Sequence, residues 1–65
     1  MKPNEILAAL MLANCRPVEI ARKLNVSRPM ISNIIHGRGK SRIVQEAIAE
    51  IIGKPVDEIW PDMAA

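Results

Sequence analysis

Aromatic side chains are almost missing: Trp60 stands alone, with neither Tyr nor Phe in 65 residues. A β-sandwich of this size would draw on Thr, Tyr and Phe, and no apolar–polar alternation runs far enough to suggest strands. Cysteine is limited to Cys15. That excludes a disulfide framework and a Cys/His metal set, and neither a metal nor any other cofactor is expected. With one His, one Cys and no Tyr, no catalytic residue can be assigned, and so short a chain has no room for a deep small-molecule pocket. No apolar run reaches the 18 residues that would span a membrane, so no membrane partner is expected. Internal repeats and linkers are absent as well.

One stretch imitates an export signal. Lys2 precedes the run ILAALMLA, and Cys15 follows Leu12-Ala13-Asn14 in the manner of a bacterial lipoprotein. The physical case for it is weak. The run is eight residues long, Pro3 and Glu5 precede it, and Asn14 occupies the place where a small residue is wanted. Cleavage would also remove a helix needed to cover the rest. Cys15 is read as a half-buried loop thiol.

What remains is Ile, Leu, Ala, Val and Met, enough for one small all-helical domain spanning residues 1–65, near the lower size limit for a core without staples. Helices are expected at about residues 3–13, 17–24, 28–36, 42–52 and 56–60. Pro3 and Pro17 suit the first helical turn, and Glu5 suits the positive end of a helix. Asn14 and Asn25 are left-handed stops, and Gly37 and Gly53 end helices in the same way. Ser27 and Ser41 are N-caps, and Glu19 can reach back toward the start of the second helix. The fourth helix carries Ile43, Val44, Ala47, Ile48, Ile51 and Ile52 as an unbroken apolar stripe. Val56, Ile59 and Trp60 close the bottom of the core, and residues 62–65 fray.

The chain is organised around Pro17–Gly37, PVEIARKLNVSRPMISNIIHG. Val18, Ile20, Ala21 and Leu24 form one apolar face, and Ile31, Ile34 and Ile35 form another, each at helical spacing. Asn25-Val26-Ser27 leaves about three residues to reverse direction, the length of a helix-turn-helix corner. Ala21 marks the closest crossing, and Val26 fills the space beneath the turn. Opposite the isoleucines lie Arg28, Pro29, Ser32, Asn33 and His36.

Charge follows the same division. Between residues 16 and 42 seven basic residues (Arg16, Arg22, Lys23, Arg28, Arg38, Lys40, Arg42) face Glu19 alone, a balance of +6. From residue 43 onward Lys54 faces five acids, a balance of −4. A polyanion binder has this footprint, although a solvated basic face would have it too.

Pro17–Gly37 resembles the helix-turn-helix of the phage repressor and Cro superfamily, the lambda-repressor-like domains, matching it at Ile20, Ala21, Leu24, Val26, Ile31 and Ile34. Asn25 replaces the usual corner glycine. Pro17 replaces the glutamine that often opens the second helix and binds phosphate. IAEIIGKPVDEIWP, residues 48–61, is similar to the end of the Ner-type regulators of transposable phages, and NEILAAL resembles their first helix. The resemblance implies an all-α DNA-binding repressor of phage or prophage promoters, a bundle of four to five short helices in the cytoplasm of a bacterial host, associated with its nucleoid.

Its partner would be double-stranded DNA, with the third helix in the major groove. Arg28, Pro29, Ser32 and Asn33 would read bases, and Arg16, Ser27, His36, Arg38, Lys40 and Arg42 would hold phosphates. Each has a plainer role available, Ser27 as a cap and Ser32 and Asn33 as solvated surface. A homodimer on DNA would place half-sites about 34 Å apart; the fourth helix's stripe leaves the oligomeric state open. The competing reading is a helix-turn-helix used for protein contact, as in an antitoxin or adaptor.

Overall fold

A computed structural model describes residues 1–39 and 41–61. Five helices follow in order: α1 (Pro3–Leu12), α2 (Pro17–Leu24), α3 (Arg28–Ile35), α4 (Arg42–Ile52) and α5 (Val56–Ile59). Among the described residues there is no strand, and no helix is long and apolar enough to cross a membrane. The expected frayed end, residues 62–65, lies outside the described residues, as does Lys40.

The caps explain the boundaries. Pro3 and Pro17 occupy first-turn positions, where a missing N–H costs nothing. The Glu5 carboxylate accepts from the Lys2 N–H at 2.7 Å, tying down the start of α1. Three helices end in one motif. Asn14, Asn25 and Gly37 have φ of 57°, 57° and 76°, and each end is closed by a pair of hydrogen bonds. After α1 these are Asn14 N–H to Met11 O and Cys15 N–H to Leu10 O; after α2, Asn25 N–H to Arg22 O and Val26 N–H to Ala21 O; after α3, Gly37 N–H to Ile34 O and Arg38 N–H to Asn33 O. This pairing is the Schellman closure. α1 and α3 each stop one residue before the expected ends at 13 and 36, and Trp60 likewise falls just past α5.

Each helix gives one face to a common core: Ile6 and Leu10 from α1, Ile20 and Ala21 from α2, Ile31, Ile34 and Ile35 from α3, and Val44, Ile48 and Ala49 from α4, closed by Ile59 and Trp60. α3 packs against α1, α2 and α4, and α4 against all four other helices. Ala21 is nearly sealed, and Val26 packs against the core. The Cα radius of gyration is 10.4 Å, close to the roughly 11 Å of a tightly folded chain of this length. Cys15 is half-buried and in no disulfide. The Met1 ammonium donates to Ile59 O at 2.8 Å, joining the two ends of the described chain.

Three expectations need correction. Ile43 is 70% exposed, while Gln45 and Ala49 are buried in its place; α4 is turned so that 44, 45, 48 and 49 face inward and Ala47, Ile51 and Ile52 lie at the margin. The cause is that apolar residues surround most of α4, so packing rather than periodicity sets its rotation. Ser41 sits at the α4 N-cap, but its hydroxyl accepts no capping bond there. No side chain caps the start of α2 either, and Glu19 instead lines a groove between α2 and α4 with Lys23 and Glu50.

Candidate nucleic-acid interface

Local chemistry fixes α3 at both ends. Ser27 is extended (φ −76°, ψ 153°), and its Oγ accepts from the Met30 N–H at 3.3 Å, an N-cap that satisfies one of the free amides of the first turn. At the far end Gly37 supplies the left-handed closure. Between these stops Ile31, Ile34 and Ile35 are buried, and Arg28, Pro29, Ser32 and Asn33 are exposed. Anchored from behind on three helices, α3 presents its polar side on a rigid support.

Four of the expected residues meet in one groove. Arg28, Pro29, Ser32 and His36 line it together with Leu7, Pro17 and Ile35, enclosing about 520 Å³. Asn33 lies elsewhere, on the flank of α3 that faces the following loop: a Cβ on Gly39 would stand 3.7 Å from Asn33 Cβ and 3.5 Å from Ile34 Cγ1. The exposed side of α3 is thus two surfaces, a groove shared with α1 and α2 and a ridge beside residues 37–39. Leu7 was missed from the sequence. It sits one step from the buried Ile6 on α1, and periodicity does not say which neighbour that flank meets.

Arg16, at the N-cap position of α2, and Ser27, at that of α3, are both exposed. Arg38 is exposed in the loop after α3. Arg42 opens α4 and pairs with Glu46, Nε to Oε1 at 3.1 Å, with side chains 89% and 59% exposed; an exposed i,i+4 pair is worth only about 0.3–0.5 kcal/mol, too little to hold Arg42 from a phosphate. His36 is more constrained. Its Nδ1–H donates to the Ser32 carbonyl at 2.8 Å. The neutral ring then offers an acceptor lone pair at Nε2, and only the imidazolium could donate there. Among the described residues no cluster of His, Cys, Asp and Glu could hold a metal.

A family model described as winged helix-turn-helix DNA-binding matches residues 1–63. Comparison with curated proteins and with solved structures returns no match. A wing is a β-hairpin, and among the described residues none follows α3; the next element is α4.

Proposed function

Because the chain belongs to the winged helix-turn-helix DNA-binding family, we propose that it is a sequence-specific regulator of transcription that sets α3 in the major groove of double-stranded DNA. The resemblance of residues 17–37 and 48–61 to phage repressors and Ner-type regulators extends this to a repressor acting on phage or prophage promoters, in the cytoplasm of a bacterial host. One observation carries the reading: Arg28, Ser32 and Asn33 stand exposed on a helix whose other face is locked into the core, inside the basic half of the chain.

In this arrangement Arg28 presents its fork to O6 and N7 of guanine, and Asn33 pairs with N6 and N7 of adenine. Ser32 reaches either kind of edge, and Pro29 offers an apolar surface for a thymine methyl. Arg16, Ser27, Arg38, Lys40 and Arg42 hold phosphates and fix register. His36 joins them. A homodimer on DNA would engage two half-sites about one turn apart.

In-vitro selection from a random duplex pool tests this, followed by affinity measured against salt. A DNA reader gives an enriched site and a log K that falls with log salt by about 0.9 per phosphate contact. Arg28→Ala and Asn33→Ala should each relax preference at particular base pairs, by about 1–3 kcal/mol, while Lys40→Ala should weaken all sequences alike and flatten the slope by about one. A Lys40→Ala protein with altered base preference would overturn that division of labour.

A second reading has its own support. Met11, Leu12 and Ile43 are 72%, 88% and 70% exposed, large apolar side chains of the kind that can meet protein. If the helix-turn-helix serves protein contact, as in an antitoxin or adaptor, selection would enrich nothing and binding to a partner would show almost no salt slope.

A further inference from the structure

At the end of α3 away from Arg28 lies a second, smaller cavity, and the geometry points to it as a binding site for a small organic molecule. The compound it fits carries a carbonyl or carboxylate oxygen on a compact apolar body. About 260 Å³ is enclosed between the start of α1, the end of α3 and the residues that close α5. Pro3, Ile35, Ile59 and Pro61 supply carbon surface, His36 and Gly37 a polar edge, and Trp60 a wall. Ile35 and His36 also border the groove beside Arg28, but Pro3, Ile59, Trp60 and Pro61 do not. The site therefore does not depend on the DNA reading.

Trp60 decides the chemistry of the ligand. Its side chain is 5% exposed, and the indole Nε1–H is buried with no hydrogen-bond partner among the described residues. An indole nitrogen can only donate, and a buried donor without an acceptor carries a desolvation cost that partnered groups avoid. Most buried side-chain polar atoms are partnered, so this one marks a place where an acceptor is wanted. Its neighbours do not provide one. Pro3, Ile35, Ile59 and Pro61 have apolar side chains, the Ile59 carbonyl already accepts from the Met1 ammonium at 2.8 Å, and the His36 ring is held by the Ser32 carbonyl. A carboxylate or amide oxygen meets the indole, and the apolar residues take the rest of the molecule. None of the described lining residues is acidic, so a carboxylate meets no like charge. Size agrees as well: a cavity of about 150 Å³ holds benzene, which leaves room here for a six-membered ring and its head group. Because Nε1 is covered, the oxygen reaches it as the edge of the cavity gives way. Met1, half-buried, and Pro61, exposed, are the lining side chains there with least burial to lose.

The test uses the whole chain and three compounds built on the same ring. Cyclohexanecarboxylate and cyclohexanecarboxamide carry an acceptor; cyclohexylamine, protonated, can only donate. Trp60 is the sole tryptophan, so the nitrogen-15-labelled protein gives one indole N–H resonance that needs no assignment. The carboxylate, the amide or both should move that resonance saturably, the tighter of the two identifying an anionic or a neutral ligand. Nuclear Overhauser contacts should run from the ring to Pro3 and Ile59. Cyclohexylamine should bind about tenfold more weakly, the worth of one hydrogen bond. In Trp60→Phe, checked for helicity by circular dichroism, that gap should close when affinities are measured by calorimetry. Should Trp60→Phe fail to fold, the gap between the compounds in the unaltered protein carries the comparison. An indole resonance unmoved by either acceptor compound at millimolar concentration would overturn the inference. So would equal affinity for all three compounds, or contacts to Leu7 and Pro17 in place of Pro3 and Ile59. Each of those results leaves DNA binding standing.

Discussion

Asn25 offers a sharp test of how the corner is built. It holds φ 57° and ψ 46°, is exposed to solvent, and joins the two helices on which the interface depends. Alanine there would lose no packing contact, so its effect isolates the backbone. A Cβ-bearing residue pays about 1–2 kcal/mol in the left-handed region, and asparagine visits it more readily because its short polar side chain can bond locally. Asn25→Ala should therefore cost about 1 kcal/mol. For a domain of this size that lowers Tm by about 4–8 °C. Asn25→Gly removes the Cβ strain but adds freedom to the unfolded chain, worth about 0.4–1 kcal/mol in the opposite direction, so its Tm should stay near that of the unaltered protein. Thermal unfolding followed by circular dichroism, with Trp60 fluorescence as a second probe, gives the three midpoints. An alanine variant as stable as the asparagine and glycine ones would refute the strain argument. Since a tight turn would then form without a left-handed residue, the closure assigned to the ends of α1 and α3 would come into question too.

Two further predictions address packing and capping. Ile43→Ala should change stability by less than about 0.5 kcal/mol, whereas Ile48→Ala, the same change at a fully buried position of the same helix, should cost about 2–5 kcal/mol; urea denaturation distinguishes them, and equal costs would mean that α4 is turned differently. Ser27→Ala removes the 3.3 Å acceptor at the start of α3 and should cost about 1 kcal/mol. Ser41→Ala should cost far less, because that hydroxyl makes no capping bond, and the pair can be compared by thermal unfolding.

The elements were legible because they are punctuated by residues with few alternatives. Proline in a first turn and asparagine or glycine in a left-handed stop each act through local sterics, which the sequence carries in full. Rotation of a helix about its axis is different. α4 has Ile43, Val44, Ala47, Ile48, Ala49, Ile51 and Ile52 within one stretch, so nearly any face could be turned inward. The choice of Val44, Gln45, Ile48 and Ala49 depends on where α1, α3 and α5 already stand. The interface divides in the same way. Arg28, Ser32 and Asn33 could be placed outside because Ile31, Ile34 and Ile35 must be inside. That Leu7 of α1 and Pro17 of α2 flank the same groove as Arg28 depends on tertiary placement, for which one chain's spacing has no code. Ner-type affinity and the phosphate roles of Arg16, Arg38 and Lys40 stay at the level of resemblance and charge.

α3 has only eight residues, yet it supplies both three isoleucines of the core and the proposed reading surface. The two demands fall on different positions. Ile31, Ile34 and Ile35 are buried, so changing them costs folding. Arg28, Ser32 and Asn33 are exposed, and surface substitutions of that kind usually shift stability by no more than about 0.5 kcal/mol. A domain with a margin of only a few kcal/mol can therefore alter what it reads without losing its fold. The coupling enters at Leu7 and His36. Leu7 packs against the core while lining the groove, and the His36 ring is held by the Ser32 carbonyl while its other nitrogen faces away from that bond. At Leu7 a change in the groove is also a change in core packing, whereas at the exposed His36 it alters one hydrogen bond to the last turn of α3.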